Sequence, residues 1–435
     1  MTLRISALAG AVAGIVSIFY FLGVTAGVNA YISLAISAAA SAAVVKWLSP
    51  PDVAVESQRP TTWLLIVFWV VLAASAITFV GIAMKEPHGD WDAWSIWNMH
   101  ARFLERGGSQ WTAMLSKDLN WSHPDYPLLL PALVAQLWSA LRTESRYVPI
   151  AIAFLFTFGT AATLIGALRK LRGWDEALIA GAFVLGSAEL VAQGITQYAD
   201  IPLAFYAVTS LALLFFDDVK SLALAGAMAG FAAWTKNEGL LFVMALVVAR
   251  AFARLRFGGG VPALTREIGW MAAGAAPALA TLAFFKLKFA PTDELVFNHK
   301  SGEVLARALD FGRYVTVIEA FVVALFRAGG FLVPAVIVLG LYAWLVRFKP
   351  DPRQRVGLVT AIAAVAVMLL GDFAVYVLFS NDVNWQIGTS LPRVFFQMCP
   401  AALLAFFTAA AKVDLAMAPA VKPVAVKRKA AARRH

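Results

Sequence analysis

The chain has 435 residues, 61% of them hydrophobic and only 14% charged, with a formal net charge of +10 and a mean hydropathy of +0.75. Soluble domains carry about 25% charged residues, so an ordinary soluble protein is excluded, and apolar runs that are continuous rather than alternating exclude a β-barrel. The basic residues sit in short loops between apolar runs, a positive-inside pattern that gives no reason to expect a nucleic-acid partner, and the single cysteine, Cys399, excludes an internal disulfide.

Repeated apolar runs near the length needed to cross a hydrocarbon core of about 30 Å define the expected fold class. It is all-α: a polytopic integral membrane helical bundle of about 12 transmembrane helices with periplasmic juxtamembrane helices. Arg4, the apolar run after it and small residues near Val28-Asn29-Ala30 have the make-up of a cleaved signal peptide. A second apolar run follows at once, which favours a retained first span. Spans at 5–23 and 28–48 then form a hairpin, and with the proline-containing linker to residue 60 they make an N-terminal unit, 1–60. A third span, 62–84, delivers the loop 85–146 to the periplasmic side of a bacterial inner membrane, with Lys46 and Arg59 left in the cytoplasm.

That loop concentrates chemistry that the chain avoids elsewhere. It holds Asp90, Asp92, Asp118 and Asp125, the histidines His88, His100 and His123, and the tryptophans Trp91, Trp94, Trp97, Trp111 and Trp121. Within it, Asp92–Arg106 reads as a helix, because Trp94, Trp97, Ala101 and Leu104 recur at three- and four-residue spacing. Indole rings favour the membrane interface, so this helix is expected to lie flat there. Asp90 or Asp92 falls at its start, where an aspartate can also serve only as an N-cap. The segment 127–141 is short for a span, and reading it as juxtamembrane leaves every later basic loop cytoplasmic. Spans follow at 147–168, 175–193, 199–216, 221–235, 238–255 and 266–285, completing a module 61–285. The region 286–411 opens with a polar loop carrying Asn298-His299-Lys300 and an amphipathic segment, 303–327, expected on the periplasmic face. Spans 328–347, 356–379 and 393–411 close it, ahead of a basic tail, 412–435, whose charges suit anionic headgroups.

In this topology four further polar groups reach the face where Asp90 and Asp92 emerge. They are His123-Pro124-Asp125-Tyr126-Pro127, Gln197-Tyr198-Ala199-Asp200-Ile201-Pro202, Lys236-Asn237-Glu238-Gly239 and Thr389-Ser390-Leu391-Pro392-Arg393. Polar residues at membrane depth are costly and usually functional. Asp200 can alternatively cap the span it begins, and Lys236 and Glu238 can simply pair with each other. Glu189 and Asp372 lie deeper in their spans and receive no role from sequence.

The order of these motifs resembles the GT-C superfamily of lipid-sugar-dependent membrane glycosyltransferases, which includes the lipid A aminoarabinose transferases, the protein O-mannosyltransferases and the rhizobial galacturonosyltransferases. The resemblance rests on the acidic first loop Asp90-Trp91-Asp92, the amphipathic helix ending near Ala101-Arg102, the turn His123–Pro131 and the Tyr-x-Asp-x-Pro turn Tyr198–Pro202, and it covers roughly 62–255. Where those families usually follow the aspartate with glutamate, this chain has Asp92-Ala93. The resemblance implies a donor sugar on a polyprenyl phosphate, membrane lipid as the medium, and a lipid, glycan or protein acceptor.

A departing phosphate needs little protonation, so the general acid of a glycosidase is dispensable. What remains necessary is one base for the acceptor hydroxyl and cations for the phosphate. Asp92 is the first candidate for the base and Asp90 the second. Arg393, with its bidentate fork, is the candidate phosphate ligand, assisted by Lys236 or Lys300. His123, Asp125, Tyr126, Tyr198, Asp200 and Glu238 are the candidate substrate contacts. Direct displacement with one base implies inversion at the anomeric carbon. A divalent ion, the one cofactor in question, would draw on His123 or His299 with Asp125 or Asp200, although no HxxxH-like spacing accompanies them. The competing reading, a secondary transporter or flippase of lipid-linked sugars, predicts charges at mid-membrane and access from both faces, rather than charges gathered on one face.

Overall fold

The computed structural model describes residues 2–48, 59–292, 301–379 and 382–412. All its regular elements there are helical, and an isolated bridge between Phe348 and Ala410 is the one β contact among the described residues. Helix α1 is Thr2–Thr25, α2 Ala30–Trp47 and α3 Thr62–Lys85. A π-turn, Ala93–Trp97, leads into α4, Asn98–Arg106, and α5 is Leu129–Leu141. Then come α6 (Tyr147–Leu171), α7 (Trp174–Leu185), α8 (Ala188–Ile195), α9 (Asp200–Leu213), α10 (Val219–Thr235), α11 (Glu238–Phe257) and α12 (Gly260–Lys288). The remaining helices are α13 (Ser301–Ala308), α14 (Phe311–Arg327), α15 (Ala335–Val346), α16 (Arg355–Leu378), α17 (Val383–Gln397) and α18 (Cys399–Ala409).

Among the described residues, 7 helical segments are long and apolar enough to cross a membrane, or up to 8 if the bent pair α7–α8 counts as one span. The larger sequence-based number counted several apolar runs as full spans that the structure builds as short or broken helices. The run 175–193 is bent by 57° between α7 and α8, where Ser187 Oγ caps the Leu190 N–H at 3.2 Å and donates to the Gly329 carbonyl at 2.9 Å. The run 199–216 yields α9, whose 14 residues extend only about 21 Å. The segment 303–327 divides into α13 and α14, and Arg313 and Arg307 of this pair cap the last carbonyls of α16.

Helix α9 is buried along its whole length and forms the axis of the bundle. Helices α1, α6, α10, α17 and α18 pack round it. Close approach depends on small residues, as expected where water supplies no drive to helix association. Gly10 and Gly14 of α1 lie under the rings of Phe205 and Phe231, and a methyl at Gly226 or Gly274 would overlap the backbone of Met271 or Ala223. Buried hydrogen bonds tie α1 into this centre: Tyr206 Oη to the Gly10 carbonyl (3.0 Å) and Trp234 Nε1 to Ser17 Oγ (2.9 Å). Outer helices keep an apolar face exposed, as Trp63, Ile66, Trp69, Val70 and Ile77 do on α3, which is the surface a lipid-facing helix presents.

The two ends of the bundle differ. At one end the basic turns converge: Arg172 bonds the Ala410 carbonyl, Gln354 bonds the Leu171 carbonyl at 2.9 Å, and Arg355 lies 4.3 Å over the Phe257 ring. Buried Arg250 joins α11 to α12 through Glu267 (2.8 Å) and to the end of α9 through the Leu214 carbonyl (3.1 Å). The opposite end receives the acidic loop.

Candidate active site

The loop after α3 is stitched to the corner between α8 and α9. Gly89, at φ +69°, lies against the Thr196 carbonyl, where a side chain would collide. The Asp90 N–H donates to that carbonyl at 3.2 Å, and Gln197 Nε2 donates to the Pro87 carbonyl at 3.1 Å. Gln197 holds a left-handed backbone, φ +60°, to make this contact, a conformation costly enough to mark a constrained corner. The π-turn at Ala93–Trp97 adds a residue to the first turn of the loop helix. It rotates Trp94 outward against Trp91 (centroids 4.5 Å apart) while Trp97, Ala101 and Leu104 stay buried. The regular spacing read from sequence therefore holds only from Trp97 onward. Capping falls to Asp90, whose Oδ1 accepts the Trp91 N–H at 2.7 Å; Asp92 makes no side-chain cap bond.

Asp92 instead faces α17. Its Oδ2 lies 2.6 Å from Arg393 Nη1, and the same nitrogen is 3.6 Å from Asp200 Oδ2. Asp200, at the start of α9 and 3% exposed, is held further by Lys236 Nζ at 3.1 Å and by Gln397 Nε2 at 2.6 Å. Lys236 also reaches Glu238 Oε1 at 2.9 Å. The Arg393 guanidinium sits 4.7 Å over the Tyr198 ring, a cation–π arrangement, and its Nη2 has no hydrogen bond among the described residues. Buried ions of this kind persist only when paired and hydrogen-bonded. Four segments far apart in sequence supply them.

A second group adjoins the first through the turn Lys236-Asn237-Glu238. Asp125 Oδ2 accepts from Asn237 Nδ2 at 2.6 Å, and Lys286 Nζ contacts the Asp125 carbonyl (2.5 Å) and Asn237 Oδ1 (2.9 Å). Tyr126 is sandwiched between Trp97 (5.6 Å) and His123 (4.6 Å). His123 takes φ +49° to reach that stack. Burial, then the nearby Glu238 charge, drives the Tyr126 phenol well above its usual range. Burial first and Asp92 second push the Tyr198 phenol up to about 12, so both rings act as neutral groups. Beneath the stack His100 is fully buried, and desolvation lowers it to about 3. Its Nε2 is 3.4 Å from Ser122 Oγ, whose own proton goes to the Leu119 carbonyl; that geometry makes Nε2 the protonated nitrogen.

The structure thus brings together Asp92, Arg393, Asp200, Lys236, Glu238 and Tyr198, with Asp125, Tyr126 and His123 beside them. Asp90 stays at the exposed rim, bonded to its own helix start. Lys300 and His299 lie outside the described residues. Arg393 does not begin a span, as the Thr389–Arg393 run suggested; it sits inside α17, with Thr389 and Pro392 in the same helix. Among the described residues no three His, Cys, Asp or Glu side chains converge to hold a metal ion. Asp125 and Asp200 face Asn237, Lys286, Lys236 and Arg393, and His123 is committed to the stack.

Sequence reasoning missed Lys286 and Gln397, and assigned Asn237 no task. Gln397 was legible, since it lies four residues beyond Arg393 and so on the same helix face. Lys286, near the end of the long helix α12, was read as the boundary of a loop.

Below Tyr198 a narrow, mainly apolar crevice opens between α4, α5, α6 and α9, lined by Trp97, Leu130, Val134, Ile152, Tyr198 and Pro202 among others. Comparison with known proteins returned no match among curated proteins or solved structures. A family model does match: Glycosyltransferase family 87, over residues 125–371. The matched stretch contains Asp125, Asp200, Lys236, Glu238 and Lys286, and leaves Asp92 and Arg393 on either side. Because it covers more than half of this all-helical membrane chain, the chain belongs to glycosyltransferase family 87.

Proposed function

We propose that the protein transfers a sugar from a polyprenyl-phosphate donor to a lipid, glycan or protein acceptor at the periplasmic face of a bacterial inner membrane, with inversion at the anomeric carbon. The observation that carries this reading is the pairing of Asp92 with Arg393 over a buried Asp200–Lys236 pair, at the bundle end opposite the basic turns. The positive-inside rule then leaves the basic turns in the cytoplasm and the site in the periplasm. Residues 61–285 serve as the catalytic module, and 286–411 contribute Arg393.

In this mechanism the acceptor oxygen attacks the anomeric carbon from the face opposite the phosphate. The carbon–oxygen bond to phosphate breaks, its electron pair leaves on the phosphate, and the acceptor proton passes to Asp92. Asp92 Oδ1 has no hydrogen bond among the described residues and remains open to that proton. Arg393 meets the phosphate through Nη2, with Lys236 adding positive charge behind it; as the phosphate engages, the guanidinium is drawn off Asp92 while the base is needed. Asp90 at the rim is the second candidate base. The stacked His123–Tyr126–Trp97 rings suit a sugar face. The test is transfer by purified full-length protein from a panel of polyprenyl-phosphate sugars to envelope extracts, with the anomeric configuration of the product determined. Transfer with inversion supports the reading; retention, or no transfer from any donor, overturns it.

A further inference from the structure

Three buried oxygens around Lys236 have no hydrogen-bond donor among the described residues: Asp372 Oδ2, Glu238 Oε2 and Gln397 Oε1. Asp372 and Gln397 are 4% and 1% exposed. Gly371 of α16 lies against the Leu241 side chain of α11, and this close approach sets Asp372 beside the turn between α10 and α11, within electrostatic reach of Glu238 and Lys236. One turn on, the Tyr376 hydroxyl is 2.7 Å from Ser390 Oγ, which joins α16 to α17 and completes the wall. Burying acceptors without donors is costly, so three of them round one lysine call for a ligand that supplies hydrogens.

An anion does not answer, because it brings no hydrogens to these three oxygens. A divalent cation does not answer either. The Lys236 ammonium stands between Asp200 and Glu238, and no three metal-ligating side chains converge among the described residues. Neutral hydroxyl groups do. We propose that Asp372, Glu238 and Gln397 form the subsite that binds hydroxyls of the transferred sugar, with Asp372 as a specificity-determining residue. This deepens the glycosyltransferase reading of the same site and rests on it.

The experiment uses the full-length protein in lipid nanodiscs, as wild type, Asp372→Asn and Asp372→Leu. Without ligand, both variants should melt at or above the wild-type temperature, since no partner is lost and an unpaired buried carboxylate is removed. A polyprenyl-phosphate hexose should protect wild type more than the same polyprenyl phosphate without sugar. Asp372→Leu should lose that sugar-dependent increment and keep the protection by the bare lipid, while Asp372→Asn, which retains an acceptor oxygen, keeps part of it. In transfer, Asp372→Leu should lower kcat/KM by about fivefold to a hundredfold, as expected when a buried hydroxyl loses its acceptor. A donor lacking the bound hydroxyl should lose a similar factor on wild type and little more on the variant. A large drop in melting temperature, an increment that survives in Asp372→Leu, or no increment in wild type would overturn the subsite. If the increment is present and Asp372-dependent while wild type transfers nothing, the subsite stands and the transfer reading falls.

Discussion

In the proposed mechanism Arg393 carries three tasks at once, and its replacement separates them. In the structure Nη1 lies 2.6 Å from Asp92 and 3.6 Å from Asp200, and Nε donates to the Thr389 carbonyl at 3.2 Å; the proposed phosphate contact falls to Nη2. Arg393→Ala strands Asp92, but Asp200 keeps Lys236 and Gln397. Breaking a fully buried pair costs about 3–5 kcal/mol; because the Asp92 and Arg393 side chains are about one-fifth exposed (21% and 19%) and Asp200 stays paired, about 1–3 kcal/mol is the scale here. Arg393→Lys costs less, since the charge remains, yet one ammonium cannot bridge both carboxylates and also offer a second edge to phosphate. Losing a charge-assisted bond worth about 1.5–3 kcal/mol corresponds to a rise of about tenfold to a hundredfold in the KM for donor. The assay is donor saturation beside thermal melting for both variants. Unchanged donor saturation in Arg393→Lys and Arg393→Ala would remove Arg393 from the phosphate site.

Other consequences are as direct. His100 protonates at about 3 in the fold and at about 6.5 when unfolded. Between those values the unfolded chain binds more protons, so stability should fall as pH falls, by up to about 1.4 kcal/mol per unit. Melting curves of His100→Gln should lose part of that acid dependence. Arg250→Ala leaves Glu267, among the described residues, with Arg254 as its one remaining charged partner and should cost about 3–5 kcal/mol. Residual folded protein should transfer with wild-type KM, because Arg250 lies about 18 Å along α11 from Glu238. In a Cys399→Ser background, an impermeant maleimide should label Arg146→Cys from the periplasm and Arg353→Cys only from the cytoplasm; both positions are exposed. The reverse pattern would invert the proposed orientation.

Much of the site was legible because charge is costly in an apolar chain. Asp92, Asp200, Lys236 and Arg393 stood out against their surroundings, and the same reasoning drew in Asp125 and Glu238. The Lys236–Glu238 pair was legible too, but the partnership of Asp92 with Arg393 was not, since it depends on how α17 packs against α9. Helix continuity through Pro392 was hidden too: proline near a polar run reads as a turn, whereas here α17 runs through it. Fewer described helices, 7 or up to 8, are long and apolar enough to cross than the roughly 12 runs read from sequence, because hydropathy registers apolar length and not bends or full burial. Helix α9 is apolar because protein surrounds it, and α7–α8 breaks where Ser187 finds partners at Gly329. The π-turn at Ala93–Trp97 left no mark in the spacing, so Trp94 was assigned to the wrong face.

The central claim is that Asp92 takes the acceptor proton, and Asp92→Asn tests it most directly. Asparagine still offers Arg393 an oxygen acceptor but takes up no proton. Asp92 makes no side-chain cap bond for the change to remove. Melting temperature should therefore stay close to the parent value while the transfer rate falls by about 10²–10⁴. Asp90→Asn, at the exposed rim, should be far milder. Transfer by Asp92→Asn within a few-fold of the parent would contradict the account; a collapse in Asp90→Asn instead would move the base to Asp90.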